Sequence, residues 1–173
     1  MAAALAVVKY EGFDIEEALS ILRKFKTLEG RGETFNAKLE DGRVITLVDE
    51  AYNANPLSMN AAISAFGEKY SDKNKILVIG DMAECGENTE KYHREISTSI
   101  DKIHPQKIYL CGNDIKFLFD EIKDKYDVKL FSAIKDLKEA LQKEIQDKDY
   151  ILFKASHSSK LYKIVSFFKN YIV

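Results

Sequence analysis

No G-x-x-x-x-G-K-[ST] segment occurs anywhere in these 173 residues, so the chain lacks the glycine-rich loop that cradles a triphosphate and helps hold its magnesium. Nor does a G-x-G-x-x-G follow any strand-like run, which removes support for a dinucleotide-dependent dehydrogenase. Cysteine is scarce. Cys85 and Cys111 stand far apart, without C-x-x-C or zinc spacing, so no metal site is implied and a reduced, cytosolic compartment is the simplest reading. An excess of either charge is missing as well: 26 Lys and Arg face 28 Asp and Glu, leaving no basic field for a nucleic acid or a membrane surface. No run approaches the roughly eighteen apolar residues of a membrane span, and the Ala-rich opening lacks the basic region and cleavage signal of an export peptide. These absences predict one soluble, cytoplasmic domain, with length to spare for an appendage and no low-complexity tract.

What is present is an alternation of strand-like and helical runs. Two apolar helical segments open the chain, Ala2 to Lys9 and one built on Ile15, Ala18, Leu19 and Leu22, with Asp14 placed as N-cap of the second. So apolar and short a first helix needs tertiary support. Runs at Thr34 to Leu39 and Arg43 to Val48 flank Glu40-Asp41-Gly42, a hairpin signal. A helix is expected from Pro56 to Lys69, with Ala62, Ala65 and Phe66 against a sheet. Lys75 to Gly80 reads as a buried parallel strand, followed by a loop and a helix holding Tyr92, His93, Ile96 and Ile100. Three further units follow: Lys107 to Cys111 then Asn113 to Lys125, Val128 to Phe131 then Ile134 to Gln146, and Tyr150 to Phe153 then Ser158 to Tyr171. Ile134, Leu137, Leu141 and Ile145 form one sheet-packing stripe. The pattern predicts an α/β fold: an open, mostly parallel, Rossmann-like sheet with helices on both faces and an N-terminal antiparallel hairpin.

The chemistry concentrates in Asp49-Glu50-Ala51-Tyr52-Asn53-Ala54-Asn55-Pro56-Leu57-Ser58-Met59. Asn55 is placed to cap the following helix and Pro56 to occupy its first turn, where a missing N–H costs nothing. The loop presents two carboxylates, a phenol and two carboxamides at the C-terminal end of a strand, the ligand-facing edge of an open α/β sheet. Carboxamides both donate and accept, which suits a purine edge or a ribose hydroxyl. The residues alone fit equally a polar turn with an Asx cap. Beside it stand Gly80-Asp81-Met82-Ala83-Glu84-Cys85-Gly86-Glu87 and Lys154-Ala155-Ser156-His157-Ser158-Ser159, each after a strand. His93 reads more simply as a helix-face histidine bonding a backbone group than as a catalyst, and His104 as a surface residue.

These three segments together resemble the Mur ligases. The first resembles the Asp-Asp/Glu-Ser/Ala-Tyr-Asn-Ala-Asn-Pro-x-Ser-Met signature of the members that join D-Ala-D-Ala to UDP-MurNAc-tripeptide; sister ligases carry other residues there. The second resembles Gly-Asp-Met-x-Glu-Leu-Gly-Glu, with Cys85 for Leu, and the third Lys-Gly-Ser, with Ala155 for Gly. If position 155 needs a positive φ, that alanine is strained. The opening helices resemble the end of the family's central ATPase domain, and Gly30-Arg31 its junction with the C-terminal domain, implying residues 1–28 and 29–173 as the two parts. By this resemblance ATP with Mg would phosphorylate the tripeptide carboxylate, and the dipeptide amine would attack the acyl phosphate. The phosphate-binding half would lie in the missing central domain, so this chain alone should be inactive and bind no cofactor tightly. Arg31, Asp49, Glu50, Tyr52, Asn53 and Asn55 would face the nucleotide, while Asp81, Glu84, Lys154 and Ser156 would line the dipeptide side. Lys154 could instead pair with a nearby carboxylate. A stand-alone α/β binding domain stays open as the competing reading; it expects the three loops not to share a face, or to be covered by a partner.

Overall fold

The computed structural model describes residues 2–24 and 28–173. Two short helices come first, α1 (Ala2–Tyr10) and α2 (Ile15–Leu22). The Asp14 carboxylate accepts the Glu17 N–H at 2.9 Å and starts α2. Met1 and residues 25–27 lie outside the described residues.

The rest forms a sheet of six strands: β1 (Glu33–Lys38), β2 (Val44–Glu50), β3 (Lys75–Gly80), β4 (Lys107–Cys111), β5 (Val128–Phe131) and β6 (Tyr150–Lys154). Its spatial order is β1-β2-β6-β3-β4-β5. The β1–β2 hairpin is antiparallel and every other pairing parallel. The last strand of the chain therefore sits between β2 and β3. Every residue of β3 is buried, as its unbroken apolar run predicts for a strand covered on both faces.

Helices α3 (Pro56–Lys69), α4 (Thr89–Glu95), α5 (Ser97–Ile103) and α6 (Lys116–Ile122) carry the connections between β2 and β5. Met59, Ile63, Ile100 and Leu118 of these helices, with Ile96 between α4 and α5, pack with Leu77, Ile79 and Leu110 on one side of the sheet. Helices α7 (Ile134–Glu144) and α8 (Tyr162–Lys169) flank β6, and their Leu137, Leu141, Ile164 and Phe168 pack with Val78, Tyr109 and Phe153 on the other. The stripe expected on α7 is there. The chain thus leaves β2 and β3 toward one face and β6 toward the opposite one, which makes the carboxyl ends beside β6 a topological switch point.

Element ends shift by one to three residues in several places, and four larger details differ from expectation. Ala65 is exposed, because α3 buries Met59, Ile63, Phe66 and Gly67, and at about 100° per residue position 65 falls on the far side. The helix after β3 breaks at Ile96, where the Ser97 hydroxyl donates to the Arg94 carbonyl, a back-bond that bends helices. Helix α6 starts three residues late because the N–H groups of Asn113, Asp114 and Ile115 all donate to the Asp81 carboxylate. Helix α8 cannot begin at Ser158: residues His157–Ser159 form a tight 3-10 turn and Lys160 has φ +62°.

Candidate functional site

The pairing register brings three strand ends level, with Glu50 opposite Lys154 and Lys154 opposite Ile79. The loops after β2, β6 and β3 consequently emerge side by side. The helix-facing side of the first is fixed by its cap: the Asn55 Oδ1 accepts the Ser58 N–H at 2.8 Å, and the Ser58 hydroxyl accepts the Asn55 N–H at 3.1 Å. Pro56 stands at the first helical turn. Asn55 is thus a reciprocal capping residue, with its side-chain oxygen committed to α3.

At the other end of this loop, Asp49 is buried and accepts the N–H groups of Gly30 at 3.0 Å and Ala51 at 3.1 Å. Burial pushes its carboxyl above the ordinary aspartate value, against the pull of those two N–H groups and of the Lys169 ammonium. Lys154, only 2 % exposed, donates to the Asn53 carbonyl at 2.5 Å and lies 3.6 Å from Glu50 Oε2. Burial lowers its pKa and the Glu50 carboxylate opposes the fall. Of the two readings of Lys154, the pairing with a carboxylate is present, and the same ammonium fastens the middle of the loop. Tyr52 and Asn53 remain exposed between these anchors.

The loop after β3 is held equally firmly. Asp81 gathers three backbone N–H groups from the start of α6 at 2.8–3.0 Å. His93 is fully buried: its Nε2 accepts the Met82 N–H at 3.1 Å and its Nδ1 lies 2.7 Å from the Thr89 carbonyl. Both ring nitrogens are therefore engaged by backbone, as the simpler reading has it. Glu84 is exposed with φ +58°, a left-handed geometry unusual for a residue other than glycine. Cys85 is half-buried against the adjacent core, and burial raises its thiol pKa. Its Sγ lies 3.6 Å from the Ala83 carbonyl, so the thiol packs as a small, partly buried group.

The β6 loop answers the question of Ala155, which is buried and has no positive φ. A Cβ added at Gly80 would lie 2.9 Å from the Ala155 Cβ; the methyl fills space that the bare glycine of β3 leaves. Ser156 is buried, its N–H donating to the Asp81 carbonyl and its hydroxyl paired with Ser158 at 2.9 Å. His157 stands exposed beyond it. Its ring stacks on Tyr162 at 4.6 Å with 4° between planes, and lies 5.8 Å from Tyr52. The Arg31 guanidinium covers the other aromatic end, 4.4 Å from the Tyr52 ring centre.

Three depressions meet at this edge. Tyr52, Asn53, Ala83, Glu84, Ser156 and His157 line one of about 350 Å³, formed by all three loops. Arg31, Glu50, Asn53, Asn55 and Lys154 line a second of about 290 Å³. A third of about 560 Å³ runs from Arg31 and Tyr52 past His157 to Tyr162 and Lys169. The ten site residues expected from the sequence all lie at this edge, in two kinds. Arg31, Tyr52, Asn53 and Glu84 are exposed; Asp49, Asp81, Lys154, Ser156 and the cap oxygen of Asn55 hold backbone or each other, with Glu50 beside Lys154. Sequence reasoning missed His157, Tyr162 and Lys169 as site residues. His157 stood inside a quoted motif; Tyr162 and Lys169 reach the edge only because α8 turns back over it. Aromatic faces, carboxamides and a guanidinium fork equip this edge to bind and orient a planar, hydrogen-bonding, anionic molecule.

Among the described residues, no helix is long and apolar enough to cross a membrane. Residues 30–157 match the family model for the Mur ligase, glutamate ligase domain. UDP-N-acetylmuramoyl-tripeptide–D-alanyl-D-alanine ligases of Rickettsia prowazekii and Bacillus subtilis are each 32 % identical to the chain, across 95 % and 94 % of it. The chain spans about 35 % of the length of either. MurF ligase from Thermotoga maritima, solved in complex with ADP, superposes with a TM-score of 0.76 over 98 % of this chain and 36 % of its own, at 23 % identity, and so shares the fold. On the strength of the family match over most of its residues, the chain belongs to the Mur ligases, as their C-terminal domain.

Proposed function

We propose that this chain is the C-terminal part of an ATP-dependent ligase that joins D-Ala-D-Ala to UDP-MurNAc-tripeptide, a cytoplasmic step of peptidoglycan precursor synthesis. The observation that carries the reading is the convergence of the loops after β2, β3 and β6 on one depression. A stand-alone binding domain gives no reason for those three motifs to meet. In this reading residues 1–28 close a preceding ATP-binding domain and residues 29–173 form the domain that swings over it. The family model starting at residue 30 supports that division, as do the exposed Val7, Tyr10, Phe13 and Ile21 on α1, α2 and their link.

The residues present fit one half of a nucleotide. Tyr52, Asn53 and Arg31 suit a base and ribose, and the sequence holds no loop for a triphosphate. Among the described residues no three His, Cys, Asp or Glu side chains group so as to hold a metal ion; in this reading the preceding domain would hold magnesium. When bound, the nucleotide supplies the phosphoryl group that activates a carboxylate. This chain's part is to orient and enclose: Tyr52 and Asn53 present a fixed face, Glu84 and the β6 loop border the incoming amine, and closure excludes water from a hydrolysable substrate.

Calorimetric titration of ADP tests the reading, using the chain and its Asn53→Ala and Arg31→Ala variants, alone and with the separately expressed region that precedes it in the relatives. Binding is expected only when both parts are present, weakened several-fold by Asn53→Ala and about ten-fold or more by Arg31→Ala, as loss of a neutral and of a charged hydrogen-bonding group implies. Variants that match the parent, once association is shown by sedimentation, would remove the loop from the nucleotide site. In a turnover assay with ATP, tripeptide precursor and D-Ala-D-Ala, the chain alone is expected to form no product.

A further inference from the structure

Lys169, in the last turn of α8, is distant in sequence from every motif. Its Nζ lies 2.9 Å from Glu29 Oε1, 2.7 Å from Glu33 Oε2 and 3.8 Å from Asp49 Oδ2. The Lys169 side chain is 18 % exposed and those of Glu33 and Asp49 are 32 % and 4 %, whereas Glu29 is 86 % exposed, so the Glu33 and Asp49 contacts are the sheltered ones. Glu29 and Glu33 stand two residues before and two after Arg31. Between them the backbone takes φ +70° at Gly30 and +89° at Gly32, and the Gly32 N–H donates to the Asp49 carbonyl at 2.8 Å. A Cβ at Gly30 would come within 2.6 Å of the Tyr52 Cβ. The turn that presents Arg31 is thus pressed against Tyr52 and tied at both ends to one cation. With its charge met by three carboxylates, Lys169 has little left to offer an anionic ligand.

We propose that Lys169 is a positioning residue: by holding Glu29 and Glu33 on one ammonium it fixes the Gly30-Arg31-Gly32 turn, and with it the guanidinium of Arg31 over Tyr52. Its importance for ligand binding rests on the nucleotide-facing role proposed for Arg31, while the clamp itself stands on the geometry of this chain. A salt bridge at a free surface contributes little; here one largely buried cation adds side-chain ties at both ends of a turn whose Gly30 and Gly32 N–H groups are bonded to Asp49 and whose Arg31 N–H is bonded to the Leu28 carbonyl.

Amide hydrogen exchange read by NMR on the whole chain tests the clamp. Lys169→Met is expected to speed exchange at Arg31 and Gly32 by about ten-fold or more relative to Leu77–Ile79 in the core, the signature of local opening. Lys169→Arg should keep the parent rates. The double variant Glu29→Gln, Glu33→Gln, altered away from the core, should reproduce the loss, and decides the matter if Lys169→Met fails to fold. Lys129→Met, which breaks an ion pair at the other end of the sheet, should leave the Arg31 and Gly32 rates at their parent ratio to the core. Unchanged ratios in either folded clamp variant overturn the proposal. ADP titration separates the two readings: a turn that loosens as expected, beside an Arg31→Ala variant that binds like the parent, removes the nucleotide role of Arg31 and leaves the clamp.

Discussion

The Lys154 ammonium reaches across the β2–β6 boundary to the carbonyl of Asn53, a contact between residues 101 positions apart. One buried cation thereby sets the height of the β2 loop above the sheet. Lys154→Met, similar in volume, is expected to cost about 1–3 kcal/mol, because the Glu50 carboxylate and Asn53 carbonyl lose a charged donor. Denaturant unfolding gives the loss, and faster amide exchange at Tyr52 and Asn53 shows where it falls.

Asn55 separates capping from recognition. Removing the cap with Asn55→Ala should cost about 1 kcal/mol, whereas Asn55→Asp should keep most of the stability, since aspartate caps as well. Thermal unfolding of both variants checks this. If Asn55→Asp proves as costly as Asn55→Ala, the side-chain bond to Ser58 is not what holds the start of α3.

Gly80 and Ala155 share one space. Gly80→Ala puts a methyl 2.9 Å from Ala155 Cβ and 3.1 Å from both Leu161 Cδ1 and Ser159 Cβ, and overpacking of this sort costs about 1–3 kcal/mol. In the double variant Gly80→Ala, Ala155→Gly the penalty should shrink, giving a coupling energy of about 0.5 kcal/mol or more in a double-mutant cycle. Additive losses would mean that the contact is not shared.

Glu144 makes stability depend on acid. Lys129 holds its carboxyl down most strongly, burial opposes this, and Lys107 and Tyr109 add to the lowering, taking the pKa from 4.5 to about 2. A folded-state pKa below the unfolded one contributes stability that is full above pH 4.5 and lost as pH falls through about 2. Parent and Glu144→Gln should therefore differ most in urea midpoint above pH 5 and converge near pH 2. A difference independent of pH would assign the effect to packing alone.

Strands and loops were legible in the sequence wherever a local signal fixed them. The apolar run Lys75 to Gly80, the Asn55-Pro56 start and the stripe from Ile134 to Ile145 each carry their own periodicity or cap, and each stands as expected. What stayed hidden depends on partners far along the chain. Nothing local says that Asp81 spends its oxygens on residues 113–115, delaying α6, or that Ser156 is buried while His157 beside it is exposed. Motif residues therefore converge on one edge in two different settings, because a carboxylate that ties backbone and one left exposed have the same letter. Lys169 carried no signal at all; it matters through the path of α8.

The placement of β6 bears on how the molecule comes to be folded. Its five residues separate β2 from β3, so until residues 150–154 leave the ribosome those two apolar strands have unsatisfied ladder edges facing each other across an empty slot. The nascent chain is then most exposed to strand-to-strand aggregation. The loops after β2, β3 and β6 cannot assemble before that slot is filled, because each adjoins β6 or a neighbour it spaces. Folding should accordingly be slow relative to helical domains of this length, since long-range pairings must close before they are stabilised, and any truncation ahead of Tyr150 would yield a chain with most of its helices encoded and no site.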